Sequence, residues 1–203
     1  MLSSTIIFSV LASSALGVVV PQTEDANLVK RFDVPGASQE LGFTIPEGTP
    51  NGAYSVYIDS DGVAHHTRLE LPEGLESPNE EDEGTLSSGL VERQGWEVTC
   101  QGRALSRTDT DFTVRTLRAT CGDRAALDSG SHFYVISNYV ATYFCNNSPV
   151  AVYCTAELII QQLQENVSRT CGAYRAGWSR WPTRIYIGSE YVNANYAFCG
   201  RNH

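Results

Sequence analysis

Apolar and polar residues alternate on both sides of Asp59-Ser60-Asp61-Gly62 in the stretch GAYSVYIDSDGVAHHTRLEL. The pattern predicts a β-hairpin closed by an Asp-Gly turn, with His65-His66 as an outward-facing strand pair. Further on, GWEVTCQG reads as a strand around Trp96–Gln101. In LSRTDTDFTVRTLRATCG, Val114, Leu117 and Cys121 recur at helical spacing, and Arg115 and Arg118 fall off that face. Thr108 or Asp109 can cap this helix, and Gly122 stops it. HFYVIS and YVATYFC are β-rich runs split by a tight turn at Ser137-Asn138. TAELIIQQLQENVSRTCG is the clearest helix, with Ala156, Ile159, Ile160, Leu163, Val167 and Cys171 on one stripe and Thr155 or a nearby residue as cap. TRIYIG and YVNANYAFC supply a final hairpin.

The order strand, helix, two strands, helix, hairpin predicts an α+β fold. Its simplest form packs two helices on one antiparallel sheet as a split βαβ, ferredoxin-like sandwich. Between the two patterned regions lies LPEGLESPNEEDEGTLSSG, too polar and acidic to offset the entropy of ordering, which reads as a solvated tether.

Charge sharpens this division. Up to Arg93 there are 15 Asp+Glu and 4 Lys+Arg; from Gln94 onward there are 8 Asp+Glu and 10 Arg, with no lysine. All six cysteines (Cys100, Cys121, Cys145, Cys154, Cys171, Cys199) follow Arg93. An even count in so short a stretch predicts three disulfides and an oxidising compartment, and leaves fifteen pairings open. The matched Thr-Cys-Gly ends of the two helices suggest that Cys121 and Cys171 each anchor a helix to the sheet. At the N-terminus, a short apolar run and Ala15-Leu16-Gly17 fit a signal peptide over 1–17. The domain reading is therefore a signal peptide (1–17), an acidic pro-segment (18–93) that is mostly flexible apart from its hairpin, and a cysteine-rich α+β domain (94–203). No span of the membrane is expected. Asn146 and Asn166 head glycosylation sequons.

Catalytic chemistry is hard to assemble from this chain. His132 is the one histidine of the second part besides terminal His203, and it reads as a solvated strand end. No GxSxG, HExxH or P-loop is present, and paired cysteines leave no free thiol. Most acids have structural explanations as helix-start or loop residues, Glu190 excepted. A small hydrolase, a ribonuclease or glycosidase built on His132, Glu190 and an arginine, is the alternative reading. Neither a metal nor a cofactor is expected, and a surplus of two positive charges is too small a footprint for a nucleic-acid partner. AYRAGWSRWPTR interleaves Tyr174, Trp178 and Trp181 with Arg175, Arg180 and Arg184. Those residue types anchor binding hot spots, so this stretch, read as a loop, is the candidate binding surface. The plainer alternative is that a tryptophan here packs on the sheet.

Leu-Val-x-Arg occurs twice, as Leu28-Val29-Lys30-Arg31 and Leu90-Val91-Glu92-Arg93. Lys30-Arg31 resembles a kexin site, and Glu92-Arg93 before Gln94 is similar to second-site usage in fungal secreted precursors. Cleavage is expected after Arg31 and after Arg93 by a kexin-type protease. CGAYRAGW, YIG and FCG, with YFCNN before them, resemble fungal small secreted cysteine-rich proteins, whose relatives include killer-toxin-like α/β-sandwich proteins and plant-interaction effectors. The resemblance covers about residues 94–203. It implies a secreted, extracellular, non-enzymatic effector or toxin, released from a pro-domain, that binds a host or competitor protein or cell-surface target. It carries over no catalytic residue.

Overall fold

A computed structural model describes residues 31–71, 75 and 95–201. The expected signal peptide, Lys30, Glu92 and Arg93 lie outside these residues. An eight-stranded, wholly antiparallel sheet organises the rest, in the order β1-β4-β3-β7-β8-β11-β10-β5. Its strands are β1 (Arg31–Pro35), β3 (Gly52–Ile58), β4 (Val63–Arg68), β5 (Glu97–Ala104), β7 (Ser131–Ser137), β8 (Val140–Asn146), β10 (Arg175–Trp181) and β11 (Ile185–Tyr191). Two short ladders complete the strands: β2 (Gly42–Phe43) with β12 (Phe198–Cys199), and β6 (Ala125–Leu127) with β9 (Val152–Cys154).

The expected hairpin forms as β3–β4. Asp59 accepts the amides of Asp61 and Val63 on one carboxylate oxygen, both at 2.9 Å, and Gly62 takes the positive φ the turn requires. This hairpin does not stand apart from the cysteine-rich part. β3 is an interior strand, paired with β4 on one side and with β7 on the other. One sheet therefore runs across the Arg93/Gln94 boundary, from β1 at one edge to β5 at the other.

Both faces of the sheet are covered, so the central strands are buried on both sides, and all seven residues of β8 are inaccessible. On one face Ala53, Val135, Phe144 and Ile187 meet Phe112 and Leu117 of the first helix and Ile159 and Leu163 of the second. On the other face Tyr54, Val56, Tyr134, Tyr143 and Tyr186 meet Phe43, Ile45, Val192 and Phe198. That second cover is not helical. It consists of the 36–50 loop and the C-terminal strap after β11, stitched together by the β2–β12 ladder.

The first helix, α1 (Arg107–Cys121), is capped by Ser106, whose hydroxyl accepts the Asp109 amide, rather than by Thr108 or Asp109. Asp109 instead ties the helix start to the β7–β8 turn, accepting from Ser137 Oγ at 2.6 Å and from Asn138 Nδ2 at 2.7 Å. The second helix, α2, is capped by Thr155 as expected. It runs as α-helix over Ala156–Ile160, as π-helix over Gln161–Ser168 and again as α-helix over Arg169–Cys171. The wider turn changes which residues face inward, and Gln162 and Asn166 join Leu163 and Val167 in the interior, bonded to each other at 2.7 Å.

Three disulfides form: Cys100–Cys171, Cys121–Cys154 and Cys145–Cys199. The first anchors the end of α2 to β5 of the main sheet. The second anchors the end of α1 to the small β6–β9 ladder, and the third locks the C-terminal strap onto β8.

The final hairpin is placed differently from the expectation. It is β10–β11, drawn from RAGWSRW and IYIGSEY, so the stretch read as a loop is a strand between β11 and β5. Gly177 and Ser179 are the reason. These small residues look loop-like in sequence, but both are buried in the sheet: a methyl group on Gly177 would stand 2.7 Å from the Thr99 carbonyl of β5 and 3.1 Å from Cys171 Sγ at the end of α2. With both β10 and β11 between β8 and β5, the first and third strands of the expected β-α-β-β-α-β order are not neighbours.

Candidate functional site

β5 is the most exposed strand of the sheet. Seven of its eight residues are exposed, Val98 alone being half-buried, and among the described residues only β10 pairs with it. Its course is broken by a bulge: the register with β10 shifts between Arg175 and Gly177, and Gly102 adopts φ +74°. The regular stretch, paired with β10 on one side and open on the other among the described residues, is therefore Glu97–Cys100.

Aromatic and arginine side chains bracket this edge. At the start of β5, on the helix face, Trp96 and Trp181 pack with ring centroids 5.2 Å apart. Gly95 lets the chain cross that pair, since a methyl group there would stand 3.1 Å from the Trp181 ring. On the opposite face Trp178 lies against the aromatic core and Arg180 reaches over Tyr186, 5.8 Å from its ring centre. Gly188 makes room for Trp178; a methyl group there would come within 2.6 Å of its Cβ. At the far end Arg103 stacks over Tyr191 at 3.3 Å, and Tyr191 stacks on the exposed Tyr139.

The six residues expected to form one loop surface are thus distributed by the two-residue period of a strand. Trp178 and Arg180 share one face, and Trp181 the other. Arg175 donates to the Gly102 carbonyl at 3.1 Å across the bulge. Tyr174, at φ +54°, donates to Asp111 of α1, and burial of its phenol and then the Asp111 carboxylate raise its pKa. Arg184 is exposed in the β10–β11 turn. Arg103, Tyr139 and Tyr191 lie outside the stretch that the sequence singles out. Each looks unremarkable in its own segment, and only the sheet order brings them together.

The candidate hydrolytic residues do not converge. His132 stands opposite Cys145 of β8, whereas Glu190 stands opposite Ala141, four positions along the same strand and on its other side. His132 is not a solvated strand end. It is completely buried beside Phe43, neither ring nitrogen has a hydrogen-bond partner among the described residues, and burial pushes its pKa down to about 3. Its ring also lies near the Cys145 and Cys199 sulfurs, but these are joined to each other and offer no thiolate. Glu190 is buried too, accepting from Tyr143 at 2.8 Å and from Tyr196 at 3.0 Å. Burial and the neighbouring carboxylate raise the pKa of both phenols and keep them as donors.

The His65-His66 pair divides by strand alternation. His66 turns inward, stacks on Phe32 at 4.5 Å and bonds Tyr134 at 3.0 Å. His65 turns outward between Asp33 and Asp59, 2.8 Å from each. The sequon asparagines are interior as well. Asn146 Nδ2 is within reach of the carbonyls of Leu127, Asp128 and Val150, and Asn166 is 6% exposed, so this fold has no room for a glycan on either side chain.

No match answers this geometry elsewhere. No family model fits the chain, and neither curated proteins nor solved structures match it.

Proposed function

We propose that the protein is a secreted, extracellular effector or toxin, processed by a kexin-type protease, that acts by binding a host or competitor target. Binding runs along the β5 edge: backbone groups of Glu97–Cys100 pair with an extended segment of the target, and the flanking aromatic and arginine groups supply anchors. The observation that carries this reading is the exposed edge strand with Trp96/Trp181 at one end and Arg103/Tyr191/Tyr139 at the other. The three disulfides suit an oxidising extracellular setting, and among the described residues no helix is long and apolar enough to cross a membrane.

The test adds the purified, processed protein to plant or fungal cells, beside a reduced and alkylated control. Response to the oxidised form alone is expected. Arg103→Ala and Trp181→Ala, each checked for an unchanged fold, should weaken the response or target capture at least about tenfold. Full activity in both variants would remove the β5 edge from the mechanism.

A further inference from the structure

The 31–71 segment makes contacts that a discarded pro-segment does not need. β3 pairs with β7 from Gly52↔Ile136 to Tyr57↔Ser131. Phe43, 1% exposed, sits among Phe198, His66, His132 and Tyr134, with ring centroids 4.7 to 5.9 Å away. Gly42–Phe43 forms a ladder with the C-terminal strap, and Arg201 bonds the Gln39 carbonyl at 2.9 Å and the Glu40 carboxylate at 3.1 Å. On the helix face Leu69 and Leu71 pack into the other core. Removing this segment would bare the edge of β7 and one side of both cores.

The covalent geometry allows the segment to be cut free and yet remain. The described strands stop at Arg68 and resume at Glu97, at the second and eighth positions of the sheet, so the Glu92-Arg93 bond lies between elements that do not pair with each other. All six cysteines follow that bond, and none of the disulfides crosses it. Cleavage after Arg31 would remove one residue of β1 and leave Phe32–Pro35 paired with β4.

We infer that the mature protein is a non-covalent two-chain assembly, in which residues 32–93 are retained as a subunit docked on the 94–203 chain through β7 and the Phe43 socket. The partner for this surface is the acidic fragment of the same precursor. The inference rests on the processing reading above for its natural trigger, but retention itself depends only on the folded interface.

Native and denaturing mass spectrometry of the secreted protein test both parts. Denaturing conditions without reductant are expected to give two masses, 32–93 and 94–203, and native conditions a single 1:1 sum. An uncut chain under denaturing conditions would overturn cleavage at Arg93 but not retention. Retention is then tested on a variant in which residues 86–93 are replaced by a site-specific protease sequence and cut in vitro. In either material, a 94–203 chain that runs alone under native conditions at micromolar concentration overturns the proposal. Phe43→Ala in the cut protein should weaken association at least about a hundredfold, as expected for emptying a core site of a phenyl ring. Should that variant fail to fold, Phe43→Leu should fall between it and the parent. Asp61→Ala, in the exposed turn between β3 and β4 and outside the β7 pairing, should leave association unchanged.

Discussion

His65 and its neighbour respond to acid in opposite directions. Hydrogen bonds that the ring donates to Asp59 and then to Asp33 raise the His65 pKa, so the folded state holds its proton more tightly than the unfolded chain. This contribution is complete below about pH 6.5, the unfolded value, and fades as pH rises through the raised folded pKa. An NMR titration of the His65 ring should give a midpoint above that of an unfolded control peptide, and Asp59→Asn should bring it down. His66 and His132 work the other way. Burial lowers them to about 4 and about 3, so the unfolded chain binds protons that the folded one refuses. Stability is expected to fall as pH drops from about 6.5 toward 4. His132→Leu removes a buried imidazole without hydrogen bonds and should flatten this acid limb in thermal melts, gaining more at pH 5 than at pH 7.5.

Among the elements, the β2–β12 ladder is short but tightly built. Gly42 has φ +82°, and a methyl group there would collide with the Phe198 carbonyl and stand 2.6 Å from the Gly200 amide. Gly42→Ala should therefore cost at least about 2 kcal/mol, or roughly 5 °C in the melting temperature. The Cys145–Cys199 bond reinforces the same place across a separation of 54 residues. Replacing both cysteines by alanine should cost about 4 kcal/mol by loop-closure entropy, measured by urea unfolding. Hydrogen exchange should also speed up selectively at Phe43 and Phe198. Local chemistry made several elements legible from sequence: the Asp59–Gly62 turn, the Thr155 cap, the helical stripe of Leu117 and Cys121, and the disulfide count. What escaped depended on distant neighbours. β10 reads as a loop because its small residues, Gly177 and Ser179, serve close packing against distant elements, the β5 backbone and the end of α2 at Gly177. His132 looked solvated because the Phe43 loop that covers it comes from the other end of the chain. Of the candidate surface, Trp178, Arg180 and Trp181 were legible as residue types, but their division between two faces was not.

For the whole molecule, the division of charge and cysteine at Arg93 is not a division of structure. Core residues come from both sides of it, and a reagent for binding studies should contain residues 32–71 as well as 94–203. A 94–203 chain made alone is expected to show weaker near-ultraviolet circular dichroism and a lower melting temperature than the full protein, with the difference restored when the two pieces are produced together.

The ladder between Gly42 and Cys199 also sets a timetable. At a synthesis rate of about 10 residues per second, Phe43 waits roughly fifteen seconds for the strap that encloses it to be made. Until then its partners Phe198 and Cys199 do not exist, and Cys145 lacks its mate. The Cys145–Cys199 bond thus closes over a core that already holds Phe43, from the other end of the chain.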